Sequence, residues 1–273
     1  MLIIFILIKI VKKLVLLNAL SLIMSKLKIK LIFLGNPPLG VNIARITNWK
    51  SDLFQIIQPI GKVRITKKAD LPDWAFSDKI IGDLLPEEHD GEILIAITSI
   101  PLEENYYVRR IENNRLCATF FEIGDFLKYN NIPLENFILR VLYATSITYK
   151  RFNNRVPITA EITNFTHDET RGCIFDMNGI KDEIIYSTNK PIICDACVNS
   201  IANEGVETNL LDSVQKELKG VRKSLYYRIA DLIKEYPVCA IILSSTVAIL
   251  LGVIGSVIAS YLWEAIIKKW FCL

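Results

Sequence analysis

Residues 167–173 read HDETRGC and residues 194–197 read CDAC, with twenty residues between the two segments. In a C-x2-C turn both sulfurs can point at one ion, and a second, distant pair of ligands completes a tetrahedron. The full pattern H-x5-C-x20-C-x2-C therefore predicts a structural zinc site. The alternative interpretation is that Cys173 is a small core residue and that Cys194 and Cys197 form a redox pair or are incidental.

The composition indicates one domain of ordinary size with apolar attachments, since the chain has 273 residues of which 51% are hydrophobic. The net charge is only +3 and no concentrated basic face is visible, so we expect no nucleic-acid partner. Only Cys173, Cys194 and Cys197 are grouped, which does not suit a disulfide framework. A reducing compartment fits this pattern better.

The apolar N-terminal segment, residues 1–24, is interrupted by Lys9, Lys12 and Lys13. Its charge-free runs are shorter than the ~20 residues that span a bilayer, and its charges follow the apolar start, unlike those of a signal peptide. Either the lysines snorkel and the segment is an anchor, or translation starts at Met24. We favour the second interpretation, because residues 24–35 begin as the first strand of a soluble domain would.

Residues 25–200 have the pattern of an α/β domain, a small mixed sheet with flanking helices. The unbroken apolar run EILIAIT indicates a strand covered on both faces, and Glu112-Asn113-Asn114 indicates a hairpin turn. Pro133 is placed to start the longest helix of the domain. The patterns predict strands at residues 26–35, 62–66, 92–98, 107–111 and 115–122, and helices at residues 49–57, 72–85 and 133–150.

This order of elements, closed by a cysteine cluster, resembles the archaemetzincins, a family of zinc-dependent metalloproteases. The matching pieces are LPDWAF (residues 71–76), residues 93–98 leading into residues 106–121, and the group His167, Cys173, Cys194 and Cys197. The resemblance covers residues 26–198. It implies the family's fold and a structural zinc site.

The resemblance also implies H-E-x-x-H-x-x-G-x-x-H, which would place histidines on a catalytic zinc and a glutamate beside its water. If His167 is the third histidine, Pro157 and Glu161 replace the first two and Ile158 replaces the glutamate. The helix at residues 140–150 has no histidine either, and the chain has only two, His89 and His167. We therefore expect no three-histidine catalytic site.

Asp168 stands where the family has a further cysteine. The structural zinc would thus keep Cys173, Cys194 and Cys197, with either His167 or Asp168 as the fourth ligand. We prefer His167, because imidazole is the commoner companion of three thiolates on zinc.

Residues 201–235 are predicted to form a helical stalk. Leu211, Leu218, Leu225 and Leu232 recur every seven residues, with Val214 and Val221 between them. This spacing is typical of a short coiled coil. The alternative is an amphipathic helix that packs on its own domain or lies on a membrane surface.

Residues 236–263 contain no charge and are long enough to span a bilayer, so we predict one transmembrane helix, followed by a short tail at residues 264–273. The lipid bilayer is thus an expected partner. Small residues four apart favour self-association of this helix: Ser244, Ala248, Gly252, Ser256 and Ser260.

Lysine and arginine residues are more numerous before the span than after it, which keeps the globular domain cytoplasmic by the positive-inside rule. The sequence favours a non-catalytic, membrane-anchored zinc protein with a sensing or interaction domain, whose ligand the sequence does not identify. Two other hypotheses are an atypical zinc hydrolase using His167, Asp168 and Glu169, and a membrane-active effector whose C-terminal helix forms a pore.

Overall fold

The computed structural model describes residues 26–161, 163–168 and 170–263. Its centre is a five-stranded sheet of order β2-β1-β3-β5-β4, in which β4 alone runs antiparallel to its neighbour. The strands are β1 (Leu27–Leu34), β2 (Phe54–Val63), β3 (Ile93–Thr98), β4 (Val108–Ile111) and β5 (Arg115–Thr119). The predicted α/β class with a mixed sheet is confirmed.

Side chains alternate along the central strands and divide the core into two layers. On β3, Ile93, Ile95 and Ile97 pack in the larger layer, whereas Leu94 and Ala96 pack in the smaller one. Because successive side chains point to opposite faces and both faces are buried, β3 has no position that favours a polar residue. Cys117 belongs to the smaller layer and is fully buried, and burial raises the pKa of its thiol.

The folded unit contains seven helices, and two further helices follow them among the described residues. The seven are α1 (Ile43–Thr47), α2 (Asp78–Leu84), α3 (Ile123–Tyr129), α4 (Glu135–Arg151), α5 (Ile184–Thr188), α6 (Asp195–Asn203) and α7 (Thr208–Leu218). The last two are α8 (Leu225–Glu235) and α9 (Pro237–Leu262).

The predicted helix at residues 49–57 is wrong. Phe54 begins β2, which pairs in parallel with β1, Ile29 lying opposite Ile56. The apolar residues of this short stretch fit a helical spacing and a strand spacing equally, and pairing with the free edge of β1 decides between them. The separate strand predicted at residues 62–66 is the end of β2, which extends to Val63.

The predicted helix at residues 72–85 forms only in its second half. Pro72–Trp74 is a single 3-10 turn in which Asp73 has a positive φ. Helix α2 begins after Ser77, whose hydroxyl accepts a hydrogen bond from Ile80 N (3.3 Å). The hairpin turn was predicted correctly, with positive φ at Asn113 and Asn114, whereas α3 was not predicted.

Helix α4 lies at the centre of the domain and is buried around almost its whole circumference. Phe137 packs edge-to-face on Phe120 from the sheet side. From the other side, Asn136 donates to Thr188 O of α5 (2.8 Å), and Tyr143 donates to Glu217 of α7 (2.5 Å). The prediction of a helix at residues 133–150 is confirmed, and its burial on all sides is why an amphipathic pattern describes it poorly.

The region assigned to a stalk is divided between two compact units, residues up to Arg222 and residues from Lys223 onward. Leu211, Val214, Leu218 and Val221 are buried in the domain core, whereas Leu225 and Leu232 on α8 are exposed. The first two heptads thus pack on their own domain, which was the alternative interpretation. A coiled coil beginning at residue 201 has no free leucine face there.

Helix α9 is long and apolar enough to cross a membrane, and none of its residues is buried. Its hydroxyl groups bond to its own backbone: Ser244 donates to Ile241 O (2.9 Å) and Ser260 donates to Ser256 O (2.9 Å). The predictions for residues 1–24 and 264–273 lie outside the described residues.

Candidate metal centre

The first two candidate ligands, His167 and Cys173, lie on a loop whose two sides are joined by backbone hydrogen bonds. His167 N donates to Phe175 O (3.2 Å) and Met177 N donates to His167 O (2.9 Å). The chain then turns at Gly172, whose φ of +94° favours glycine. We call residues 163–168 and 170–178 the metal loop.

Cys173 is fixed by a second bridge to the strand-like residues before α6. Ile174 N donates to Ile192 O and Ile192 N donates to Gly172 O, each at 2.9 Å. This pairing aligns the segment ahead of Cys194 with the segment around Cys173. The twenty intervening residues include α5, so spacing alone could not show that the two segments meet.

The second pair of candidate ligands lies at the start of α6. Cys194 is the residue preceding the helix and has an extended backbone, and Cys197 is in the first turn. The C-x2-C spacing therefore turns both sulfurs to one side of a helix start. The positive end of the helix dipole favours thiolates at this place.

The structure brings the side chains of His167, Cys173, Cys194 and Cys197 together, with their ligand atoms all within 4.8 Å of one another. The Cys173 and Cys197 sulfurs are 3.9 Å apart, and His167 Nε2 lies 3.5 Å from the Cys194 sulfur. Tetrahedral zinc with ordinary bond lengths separates two sulfurs by about 3.8 Å and a sulfur from a nitrogen by about 3.6 Å. The donor set and its dimensions fit zinc.

The electrostatics of the cluster favour a thiolate at Cys173. The side-chain hydrogen bond with Cys197 lowers the pKa of Cys173 to about 5, against the opposing effect of burial. Hydrogen bonds from the backbone N–H groups of Cys194 and Phe175 contribute to the same lowering of the pKa. Because the negative charge settles on Cys173, the same interaction raises the pKa of Cys197. A bound cation would relieve this competition for a proton.

His167 Nδ1 is buried and has no hydrogen-bond partner among the described residues. The ring therefore presents Nε2 to the sulfurs without a protein acceptor behind it. Asp168, the other residue considered as fourth ligand, places its carboxylate beside Gly179, where an added Cβ would lie 3.1 Å from Oδ2. Glu169 lies outside the described residues.

Two arginines that sequence reasoning missed connect α4 to the metal centre. Arg140 donates through Nη2 to Asp176 O (2.9 Å) and through Nε to Ser187 (2.8 Å). Arg151 donates through Nη2 to Glu204 at the end of α6 (2.7 Å). Each arginine is 36 to 53 residues away in sequence from the residues it bonds to, so no local motif predicts these contacts.

The arrangement can hold a metal but offers it little chemistry. Four protein ligands, three of them thiolates, fill a tetrahedron, and a catalytic zinc needs a position for water. Zinc bound here would cross-link the metal loop to α6 and so add its binding energy to folding.

Comparison with known proteins found no match among protein-family models or curated proteins. Among solved structures, the chain is similar to the archaemetzincin of Methanopyrus kandleri, at 12% identity and a TM-score of 0.44. The similarity covers 66% of this chain and 95% of the other. A similarity at this level transfers no activity, ligand or residue role to this chain.

Proposed function

We propose that this protein is a non-catalytic, zinc-stabilised sensing or interaction domain anchored to a membrane by its C-terminal helix. The observation that carries the proposal is the closed His/Cys3 cluster, in which all four tetrahedral positions belong to the protein. Such a site supports structure, because zinc there has no open position for substrate or water.

The distribution of histidines also supports a non-catalytic role. The chain has two, and His89 lies in the loop before β3 while His167 belongs to the metal cluster. Helix α4 presents Arg140, Thr145 and Thr148 to the neighbouring cavity instead of a water-activating set.

Helices α8 and α9 support the anchor. On α8, the exposed apolar residues Leu225, Ile229 and Leu232 recur on one face, while Asp231 and Lys234 lie away from it. An exposed apolar face that runs directly into an apolar span is typical of a helix at the membrane surface. We infer that α8 lies in the interface and α9 spans the bilayer.

The proposed orientation keeps the domain cytoplasmic. Lys219 and Arg222 lie at the end of the folded unit and, with Lys190, line a cavity of about 300 Å³. Cations beside the chain's exit are favourable at the anionic cytoplasmic leaflet. Self-association through the small residues of α9 completes the proposal.

The test is metal content and peptide hydrolysis measured on one sample of full-length protein, purified in detergent under reducing conditions. We expect one zinc per chain and no hydrolysis above that of His167→Ala. Zinc-free protein would remove the structural role. Hydrolysis that is lost in His167→Ala but kept in Arg64→Gln, a change at an exposed position, would establish the atypical hydrolase instead.

A further inference from the structure

A cavity of about 230 Å³ lies beside the metal centre. Its walls are the edge strand β4, helix α4, the segment after α4, and the metal loop. Most of the lining is apolar, and it includes Val108 of β4, Ala144 of α4 and Phe165 of the metal loop. The metal ligands do not line it.

Two lining residues of opposite charge each carry a buried polar atom without a hydrogen-bond partner. Among the described residues, neither Arg110 Nη1 nor Asp176 Oδ2 has a hydrogen-bond partner. Asp176 is only 2% exposed, and its other oxygen, Oδ1, accepts from Asn178 N (2.8 Å). The guanidinium of Arg110 lies over the Phe165 ring at 4.8 Å.

Leaving such atoms unpaired is costly. A buried charged group without its hydrogen bonds destabilises the fold, and nearly all buried polar groups in folded proteins have partners. Desolvation lowers the pKa of Arg110, and the charge of Glu161 opposes this effect only in part. A carboxylate in the cavity would offset the desolvation of Arg110, and an N–H donor would supply the hydrogen bond that Asp176 Oδ2 lacks.

The size of the cavity limits what could supply both groups. A cavity of about 150 Å³ admits benzene, which has six non-hydrogen atoms. By the same scale, this cavity admits a molecule of about nine. The lining is apolar over most of its area, which favours hydrocarbon for the remainder of such a molecule.

We propose that this cavity binds a free apolar α-amino acid of about the size of leucine. Arg110 receives its carboxylate, Asp176 receives its ammonium group, and the apolar lining receives its side chain. This inference rests on the proposed function, because it names the ligand class of the sensing domain.

The cavity and the metal centre share one structural segment. Phe165 and Asp176 lie in the metal loop, two positions before His167 and three after Cys173. Zinc that holds this loop would also hold the wall of the cavity. Binding at the two places is therefore coupled, and each ligand raises the affinity for the other by the same factor.

The experiment is calorimetric titration of full-length, zinc-loaded protein in detergent. The probes are L-leucine, L-valine and L-phenylalanine, together with two fragments of leucine: 4-methylpentanoate, which lacks the ammonium, and 3-methylbutylamine, which lacks the carboxylate. We expect leucine to bind and each fragment to bind about 10-fold more weakly or worse, since a hydrogen bond to a charged group is lost.

Two variants assign the ends of the ligand. Arg110→Gln should weaken leucine binding and leave 3-methylbutylamine unchanged, whereas Asp176→Asn should weaken leucine binding and leave 4-methylpentanoate unchanged. Ala144→Leu should fill the cavity and abolish binding of all probes. The control Arg64→Gln removes an exposed arginine and should leave every affinity unchanged. Zinc content and thermal melting establish that each variant is folded.

The inference is overturned if none of the three amino acids binds the wild type, if leucine binds no better than its fragments, or if the two variants do not discriminate between the fragments. These failures leave the proposed function standing when the same sample holds zinc and hydrolyses no peptide. Hydrolysis that depends on His167 would instead remove the proposed function, whatever the titration shows.

Discussion

The Cys173 side chain is fully buried and lies 3.9 Å from the Cys197 sulfur, so one residue belongs both to the core and to the metal cluster. The two interpretations of the sequence were thus not exclusive at this position. Local spacing placed Cys194 and Cys197 correctly on one turn. It could not reveal Arg140, Asp176 or Glu204, because their partners lie far away in sequence and the pairing depends on the folded backbone.

Cys173→Ser should remove zinc and destabilise the protein, because zinc binding contributes to folding. We expect the melting temperature to fall by about 6–12 °C, the shift that about 3 kcal/mol produces in a domain of this size. Thermal melting with elemental analysis measures both effects. The control is Cys239→Ser, which changes an exposed cysteine on α9; equal zinc content in the two variants would exclude Cys173 as a ligand.

The ion pair of Arg151 with Glu204 should make stability depend on pH. The hydrogen bond from Arg151 lowers the pKa of Glu204 below its ordinary value of 4.5. The ionised carboxylate therefore stabilises the fold above about pH 4.5, and this contribution is lost as pH falls through the lower folded-state pKa.

Glu204→Gln should accordingly cost about 1–3 kcal/mol of unfolding free energy at pH 7, because Arg151 is 3% exposed and loses its charged partner. The difference from wild type should shrink in acid. Denaturant titrations at pH 7 and at the lowest pH where the protein stays folded provide the measurement. A difference independent of pH would mean that the pair contributes through shape alone.

Among the elements, α7 and α8 show how far periodicity determines structure. Both have leucines at heptad positions, yet α7 buries its leucines against the domain and α8 leaves them exposed. A repeat states that a helix has an apolar face and does not state what covers it. The same limit explains β2, whose first residues were assigned to a helix, whereas the long apolar runs of β3 and α4 were assigned correctly.

Leu218→Ala and Leu232→Ala form a matched pair that tests this division. Leu218 is fully buried, so its truncation should cost about 2–5 kcal/mol of stability. Leu232 is exposed on α8, so its truncation should change the stability of the domain by less than about 0.5 kcal/mol. If both substitutions change the unfolding free energy equally and by little, α7 is not packed on its domain and the coiled-coil interpretation is favoured.

At the scale of the whole molecule, a folded unit is followed by two helices whose apolar side chains are exposed. The sequence predicted the apolar span directly, because composition and length suffice for that inference. It could not place the end of the domain, since residues 201–222 are covered by contacts from distant parts of the chain. The folded unit accordingly extends to Arg222.

Gly252→Ile should weaken self-association of the full-length protein in bilayers, because a bulky side chain holds helix backbones apart. The position is open, with no neighbouring atom within 4 Å of an added Cβ. Val257→Ile, off the stripe of small residues, is the control. Crosslinking should trap dimers of wild type and control, and fewer of Gly252→Ile. Monomer alone in all three would make α9 a plain anchor, and a leak abolished by Gly252→Ile would favour a pore.

The burial of α4 on nearly every side has a consequence for hydrogen exchange. Its amide protons meet water only when the surrounding layers open, so they should be among the slowest in the protein to exchange for deuterium. The last turn of α4, at Arg151, is bonded to Glu204 beside α6 and to Phe165 of the metal loop, and its first turn, at Glu135 and Asn136, is bonded to α1 and α5. Removing zinc should therefore speed exchange first at the Arg151 end, so that the two ends of one helix report separately on the segments bonded to them.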